Sequence, residues 1–236
     1  MQDATARRAG RKPRLSREQV LDAALDLADE GGLAAVTMAS VGARLSVEAM
    51  SLYRHIGNKE EMLDGLVDRV FAEIEVPADA RDWRDALRRR AVSAHDALRR
   101  HPWAIGLMES RSQPGPATLG HHDAMVALLF RVGFDGRTAT RVYNLLDSYI
   151  YGFALQEATL PFSSPEEMAS MSAEMLAGVA DAYPQLARVQ RELVASGFDY
   201  ADEFEAGLDI IMSALPEPSD RAVRSSTRKR RSTTAG

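Results

Sequence analysis

The chain has 236 residues, 45% hydrophobic and 27% charged, enough for one or two domains with a substantial core. It has no cysteine, which excludes disulfides, cysteine nucleophiles and thiolate metal sites. No apolar run reaches membrane-spanning length and the N-terminal "MQDATARRAGRKPR" lacks the apolar core of a signal peptide, so a soluble cytoplasmic protein with no membrane partner is expected. The net charge of −5 hides basic ends on an acidic body: five basic residues lie between Arg7 and Arg14, residues 61–220 hold 14 basic against 26 acidic, and the tail from Arg221 holds six basic and no acidic. Such a distribution directs a polyanion to the ends, while solvated basic termini explain it equally well.

The elements are helical throughout. Ser16-Arg17-Glu18-Gln19 reads as a capping box, opening a helix with Val20, Ala24, Leu27 and Ala28 on one stripe that ends at Gly31-Gly32. Thr37 caps a second, short helix to Leu45, and after the tight connection Ser46-Val47 a third runs from Glu48 to about His55. Asn58-Lys59-Glu60-Glu61 is another capping box, starting a helix with Leu63, Leu66, Val67, Val70, Phe71 and Ile74 at helical spacing. Pro77 breaks it. Further helices are expected over "WRDALRRRAVSAHDALRRH", up to Gly133, from Arg137 to Leu160, from Ser164-Pro165, and over Asp202–Leu215 before Pro216. Residues 217–236 are polar, basic and rich in Ser and Thr, and are expected to be disordered.

Three capped helices, the second and third short and tightly joined, fit a helix–turn–helix whose third helix lies in the DNA major groove. This accounts for Tyr53, Arg54 and His55 in a row: Leu52 and Ile56 anchor the helix to the core, while Tyr53 and His55 face the phosphate backbone. Lys59 adds a cation in the first turn of the next helix, whose amides add partial positive charge. A core role for Tyr53, or a helix-capping role for His55, is the alternative. The turn lacks the glycine often found there.

The run "T.ASVGARL.V..MSLYRHIGNKEEML", within residues 15–63, resembles the DNA-binding domain of the tetracycline-repressor (TetR) family, above all in "LYRH" followed by "NKEEML". A weaker similarity covers residues 83–215, in "GFDGRTATRVYNLLDSYIYGFALQE" and "EFEAGLDIIMSAL". The resemblance implies base-edge contacts from Ala49, Met50 and Ser51, and phosphate contacts from Thr37, Tyr53, His55 and Lys59. Ala39 and Ala49 stand where the tetracycline-binding members have polar base-reading side chains, which implies a different operator. Met50 offers an apolar contact to a thymine methyl.

Two helical stripes suit dimerisation or ordinary core: Val142, Leu145, Leu146, Tyr149, Ile150 and Phe153, and Phe204, Leu208, Ile211 and Leu215. The resemblance implies that they build a four-helix dimer interface. Arg90, Trp103, Met108, Arg111, Met125, Tyr149 and Gln156 combine soft apolar side chains with scattered polar ones, as either a ligand-pocket lining or a core with surface arginines. Tetracycline-binding members hold their drug as a magnesium chelate through a histidine and a glutamate; Met108 and Gln156 take those positions here, which speaks against a metal. His121 and His122 of "GHHD" point about 100° apart on a helix and do not form a zinc pair, which needs three- or four-residue spacing.

The expected protein is therefore all-α. A flexible basic arm (1–14) precedes an N-terminal three-helix helix–turn–helix domain (15–60), a C-terminal helical ligand-binding and dimerisation domain (61–216) and a disordered basic tail (217–236). The expected function is that of a homodimeric transcriptional repressor without cofactor or catalytic residues. Its partners would be double-stranded palindromic operator DNA and a small, apolar or aromatic effector that releases it, the resemblance implying that the long helix from Asn58 to Ile74 swings as a pendulum. The rivals are an architectural DNA-binding protein without inducer and an enzyme on the same fold, for which no catalytic constellation is visible.

Overall fold

The computed structural model describes residues 15–77, 82–108, 110–111, 113–162 and 164–218; the basic arm and nearly all of the basic tail lie outside them. The chain divides into two compact units, Met1–Leu66 and Val67–Gly236, here called the head and the body. The division falls inside one continuous helix.

The head holds α1 (Arg17–Ala35), α2 (Met38–Arg44), α3 (Ala49–Leu52) and the start of α4 (Lys59–Glu73). Local hydrogen bonding sets each start. Ser16 and Gln19 exchange side-chain and backbone bonds in a capping box, as do Thr37 and Ser40. At α4 the arrangement differs from the expected box: Asn58 Oδ1 accepts from the Glu61 amide at 2.8 Å, but the Glu61 carboxylate reaches past Asn58 to the Gly57 amide at 2.7 Å. The expected stop in α1 is present as a break, because Gly32 leaves the helical region at φ 69 before the chain resumes to Ala35.

The link between α2 and α3 shows why the expected turn glycine is absent from Ser46-Val47. Ser46 itself adopts a left-handed conformation, φ 56, and the Val47 amide donates to the Gly42 carbonyl at 2.9 Å. A Cβ on Gly42 would lie 2.9 Å from the Val47 carbonyl oxygen, so the glycine this turn needs sits four residues earlier, inside α2. Regular helix in α3 ends at Leu52, short of His55, and the chain continues through a turn in which the His55 and Ile56 amides both donate to the Leu52 carbonyl. The head core gathers Val20, Leu21, Ala24, Ala28, Val41, Leu52, Ile56, Met62, Leu63 and Leu66, all buried. Gly65 allows α4 to approach α1, since a Cβ there would meet Leu21 Cδ2 at 2.6 Å.

The body continues α4 and adds α5 (Trp83–Arg100), a 3-10 turn (Pro102–Ala104), α6 (Ile105–Met108), α7 (Pro116–Val132), α8 (Gly136–Ala158), α9 (Pro165–Val179), α10 (Pro184–Ser196) and α11 (Tyr200–Ala214). Helix α10 had no counterpart among the sequence expectations, and α11 begins two residues earlier than expected because Asp199 caps it. Helices α5 and α8 form the centre, with α7 and α11 packed against both, while α9 and α10 pair with one another. Both stripes considered for dimerisation contribute mainly to this chain's own core: Val142, Leu146, Ile150 and Phe153 of α8, and Phe204, Leu208 and Leu215, are all buried. The large apolar side chains that the same helices leave exposed are Leu145, Leu155 and Ile210. The periodicity located the buried face correctly; what covers it is the chain itself.

Candidate functional site

In the head, the residues from Ala49 to Lys59 combine anchored and exposed positions. Leu52 and Ile56 are buried, whereas Met50 is 74% and Tyr53 46% exposed, and Arg54 and Lys59 are exposed too. Met50 is therefore an apolar side chain held at the surface of a helix whose other face is fixed. Ala49, Ser51 and His55 are half-buried along the same segment. Thr37 lies at the start of α2, exposed, with its hydroxyl accepting from the Ser40 amide at 3.0 Å. Arg44 is neutralised by Glu30 and by Asp26, the latter at 3.8 Å. Sequence reasoning gave Arg54 no role, yet it sits exposed beside Tyr53; the signal was its place in the Tyr-Arg-His run.

The body holds a buried polar network centred on Arg90, which is therefore not a surface arginine. This side chain is 1% exposed and uses all three of its nitrogens. Nη1 donates to Asp147, Nε donates to His121 Nε2 at 3.1 Å, and Nη2 donates to the Tyr143 hydroxyl at 3.4 Å. Its guanidinium carbon also lies 5.1 Å from the centre of the Tyr143 ring. Burial opposes the charge, but the facing Asp147 carboxylate and the Tyr143 and Tyr151 phenols hold the guanidinium pKa above its ordinary value. His121 bears the cost of this arrangement. Because Nε2 accepts from Arg90, the neutral ring carries its proton on Nδ1, and that buried atom has no hydrogen-bond partner. Burial first, and the adjacent Arg90 charge second, push the His121 pKa down from 6.5 to about 3.

Helix α7 is tied in turn to α4. Asp68 accepts from the Thr118 amide at 2.8 Å and from its hydroxyl at 3.0 Å, at the α7 N-terminus where a carboxylate is favoured by the helix dipole. Gly115 permits this approach, as a Cβ there would stand 2.3 Å from Asp68 Cγ. Phe71 of α4 packs against the rings of His121 and His122 at 5.6 and 5.4 Å.

The remaining ligand candidates are dispersed. Met108 and Met125 are buried in the core, and Trp103 is half-buried against it, 5.9 Å from the His101 ring. Arg111 is half-buried. Tyr149 donates to the Phe204 carbonyl at 2.9 Å, and exposed Gln156 accepts from the Tyr200 hydroxyl at 3.2 Å. Among the described residues, the body has a pocket of about 450 Å3 beside Glu157 and Tyr200 and another beside Tyr143 and Asp147, and the seven candidates line neither of these. The first gathers helix ends far apart in sequence, which no local pattern links, whereas the second is lined mainly by α8 residues, Tyr143, Asn144, Asp147, Ser148 and Tyr151, with His122 of α7.

The fold and this surface define a class: an all-α regulator with a helix–turn–helix head and a helical body. Residues 20–66 match the family described as "Bacterial regulatory proteins, tetR family" and residues 76–217 match "Tetracyclin repressor-like, C-terminal domain". The chain belongs to the TetR family of transcriptional regulators, and it is a regulator rather than an enzyme. Among its relatives, the HTH-type transcriptional repressor DrrR1 of Streptomyces coeruleorubidus is 30% identical, covering 89% of this chain and 82% of that protein. The class A tetracycline repressor from transposon 1721 of Escherichia coli is 29% identical over 86% of this chain and 91% of its own. Among solved structures, ActR of Streptomyces coelicolor in complex with actinorhodin superposes with a TM-score of 0.72 at 26% identity, covering 86% of this chain and 96% of that one. No helix among the described residues is long and apolar enough to cross a membrane, and among them no three His, Asp or Glu side chains converge on a metal-binding position.

The His121 geometry predicts a pH dependence. Its folded pKa, about 3, lies below the unfolded value of 6.5, so between these values the unfolded chain binds the extra proton and stability falls as pH falls. At about 1.4 kcal/mol per pH unit, the histidine removes about 2 kcal/mol on going from pH 7 to pH 5. His121→Gln keeps an acceptor for Arg90 and does not titrate. Urea denaturation at both pH values is expected to show a loss smaller by about that amount in the variant; equal losses would contradict the assignment.

Proposed function

We propose that the protein is a cytoplasmic, homodimeric transcriptional repressor that binds a palindromic operator and leaves it when a small molecule enters the body. The observation that carries the reading is the head surface: a buried Leu52–Ile56 anchor holds Met50 and Tyr53 out at 74% and 46% exposure, next to Arg54 and Lys59. An isolated apolar side chain so exposed on a helix flanked by cations suits a groove in which base methyl groups and phosphates alternate. In this reading Ala49, Met50 and Ser51 meet base edges, and Thr37, Tyr53, His55 and Lys59, joined by Arg54, meet phosphates.

One such helix reads only a few base pairs, so two copies are required, their recognition helices about 34 Å apart. The exposed apolar side chains Leu145 and Ile210 on α8 and α11 are the contact points for the second copy. Coupling uses the bonds already described. Arg90 links α5, α7 and α8; Asp68 and Phe71 link α7 to α4; and α4 runs unbroken to Lys59. A ligand with different affinity for two arrangements of these helices shifts the operator equilibrium by that difference. The structure of ActR in complex with actinorhodin supports the reading that a body of this fold admits a small molecule.

Lys59→Ala is expected to weaken binding to all DNA alike and to reduce the salt slope by about 1, whereas Met50→Ala is expected to change the preferred base at one or two operator positions. An unchanged preference for Met50→Ala together with an altered one for Lys59→Ala, read by selection from random DNA, would reverse this division of roles. Ile210→Asp is expected to sediment as a monomer with its helix content intact and to lose operator binding, and a dimeric Ile210→Asp would displace the interface from α11. The release step is read by fluorescence anisotropy of a labelled operator against a library of aromatic compounds. Release by none of them would favour an architectural protein without inducer.

A further inference from the structure

The pocket of about 450 Å3 in the body is built where the C-terminal ends of α5 and α8 meet the starts of α9 and α11. Its walls are aromatic and soft: Phe162, Phe198 and Tyr200 line it with Met168 and Leu98. Tyr200 is fixed by stacking on Phe153 at 4.9 Å, and Phe153 in turn packs edge-on against Phe204 at 5.3 Å. At one corner the Glu157 carboxylate, mostly buried, is held by His95 Nε2 at 2.7 Å, with Arg99 Nε at 3.4 Å on its other oxygen. His95 is itself buried and stacked on Phe204 at 3.9 Å, so the carboxylate has a rigid support.

Charge decides what such a pocket prefers. Two carboxylates line it, Glu157 and Asp199, against the single guanidinium of Arg99. The Arg99 side chain is 54% exposed and makes its contact by one nitrogen at 3.4 Å, which leaves it able to swing into water; Glu157 cannot move without breaking the His95 bond. Burial, and then the carboxylates of Glu157 and Glu203, hold the Tyr200 phenol above its ordinary pKa, consistent with a negative potential at this wall. Three aromatic rings and a fixed carboxylate form the environment in which an aromatic cation gains both ring contacts and charge pairing.

We propose that this pocket binds planar aromatic cations, with Glu157 as the charge partner and Phe162, Phe198 and Tyr200 as the stacking walls. The proposal rests on the reading that a small molecule controls this regulator, and supplies its site and its chemical class. None of the residues that carry it was singled out by the sequence.

The test uses full-length, DNA-free protein and two three-ring probes of similar size, the cation proflavine and the anion 9-anthracenecarboxylate, titrated by calorimetry. Proflavine is expected to bind at one site per chain, at least tenfold more tightly than the anion. Glu157→Gln is expected to weaken proflavine at least tenfold, and Ala158→Trp, which fills the pocket from an exposed position, to abolish its binding while thermal melting shows a folded protein. Equal or tighter binding of the anion would overturn the proposal, as would proflavine binding unchanged in a folded Ala158→Trp protein. Operator release is scored separately by anisotropy. Proflavine bound in the pocket without release leaves the site standing and removes its claim to control the operator; release by another compound that Ala158→Trp does not affect removes the pocket as the control site and leaves the repressor reading.

Discussion

A guanidinium shut away from water must find its counter-charge within the protein, and Arg90 at 1% exposure finds it in Asp147. Removing one partner of such a pair strands the other at about 3–5 kcal/mol, so the arrangement of α5 against α8 follows from it. The remaining donors recruit His121 and Tyr143, and Tyr143 shares its hydroxyl with His122 at 2.8 Å. One side chain thereby fixes the relative positions of three helices. Its geometric demand is strong enough to keep a histidine neutral and one of that ring's nitrogens unpartnered. Such a network tolerates few intermediate arrangements, which is the property a body needs if a ligand is to select between two.

The head is organised by the opposite requirement. Its core is small, and its function asks for exposed side chains in fixed places. Leu52 and Ile56 supply the fixing from one side of a very short helix, and Gly42 and the left-handed Ser46 supply the turn that aims it. A left-handed serine costs about 1–3 kcal/mol and persists only where its surroundings enforce it; here the Val47–Gly42 hydrogen bond does so.

Features written in short-range chemistry were legible in the sequence. Ser16 with Gln19, Thr37, Asn58 with Glu61 and Ser164 mark helix starts because the capping atoms are three residues apart. Helix α10 was equally readable in principle, with proline at its first position and Gly197 left-handed at its end, but its exposed apolar side chains blur the stripe that would have drawn attention to it. Long-range partners were not legible. Arg90 lies 57 residues from Asp147 and 31 from His121, so its role as a buried hub is invisible to any local pattern, and the same holds for Glu157 and His95, 62 residues apart. Periodicity showed that α8 and α11 each bury a face but not whether this chain or a second copy covers it; Leu208 belongs to the first case.

Affinity selection of the purified full-length protein against random double-stranded DNA tests the central claim most directly. The account predicts an enriched inverted repeat whose two half-sites lie one DNA turn, about 34 Å, or a multiple of it apart. Binding without sequence preference, or enrichment of a single half-site alone, would contradict it.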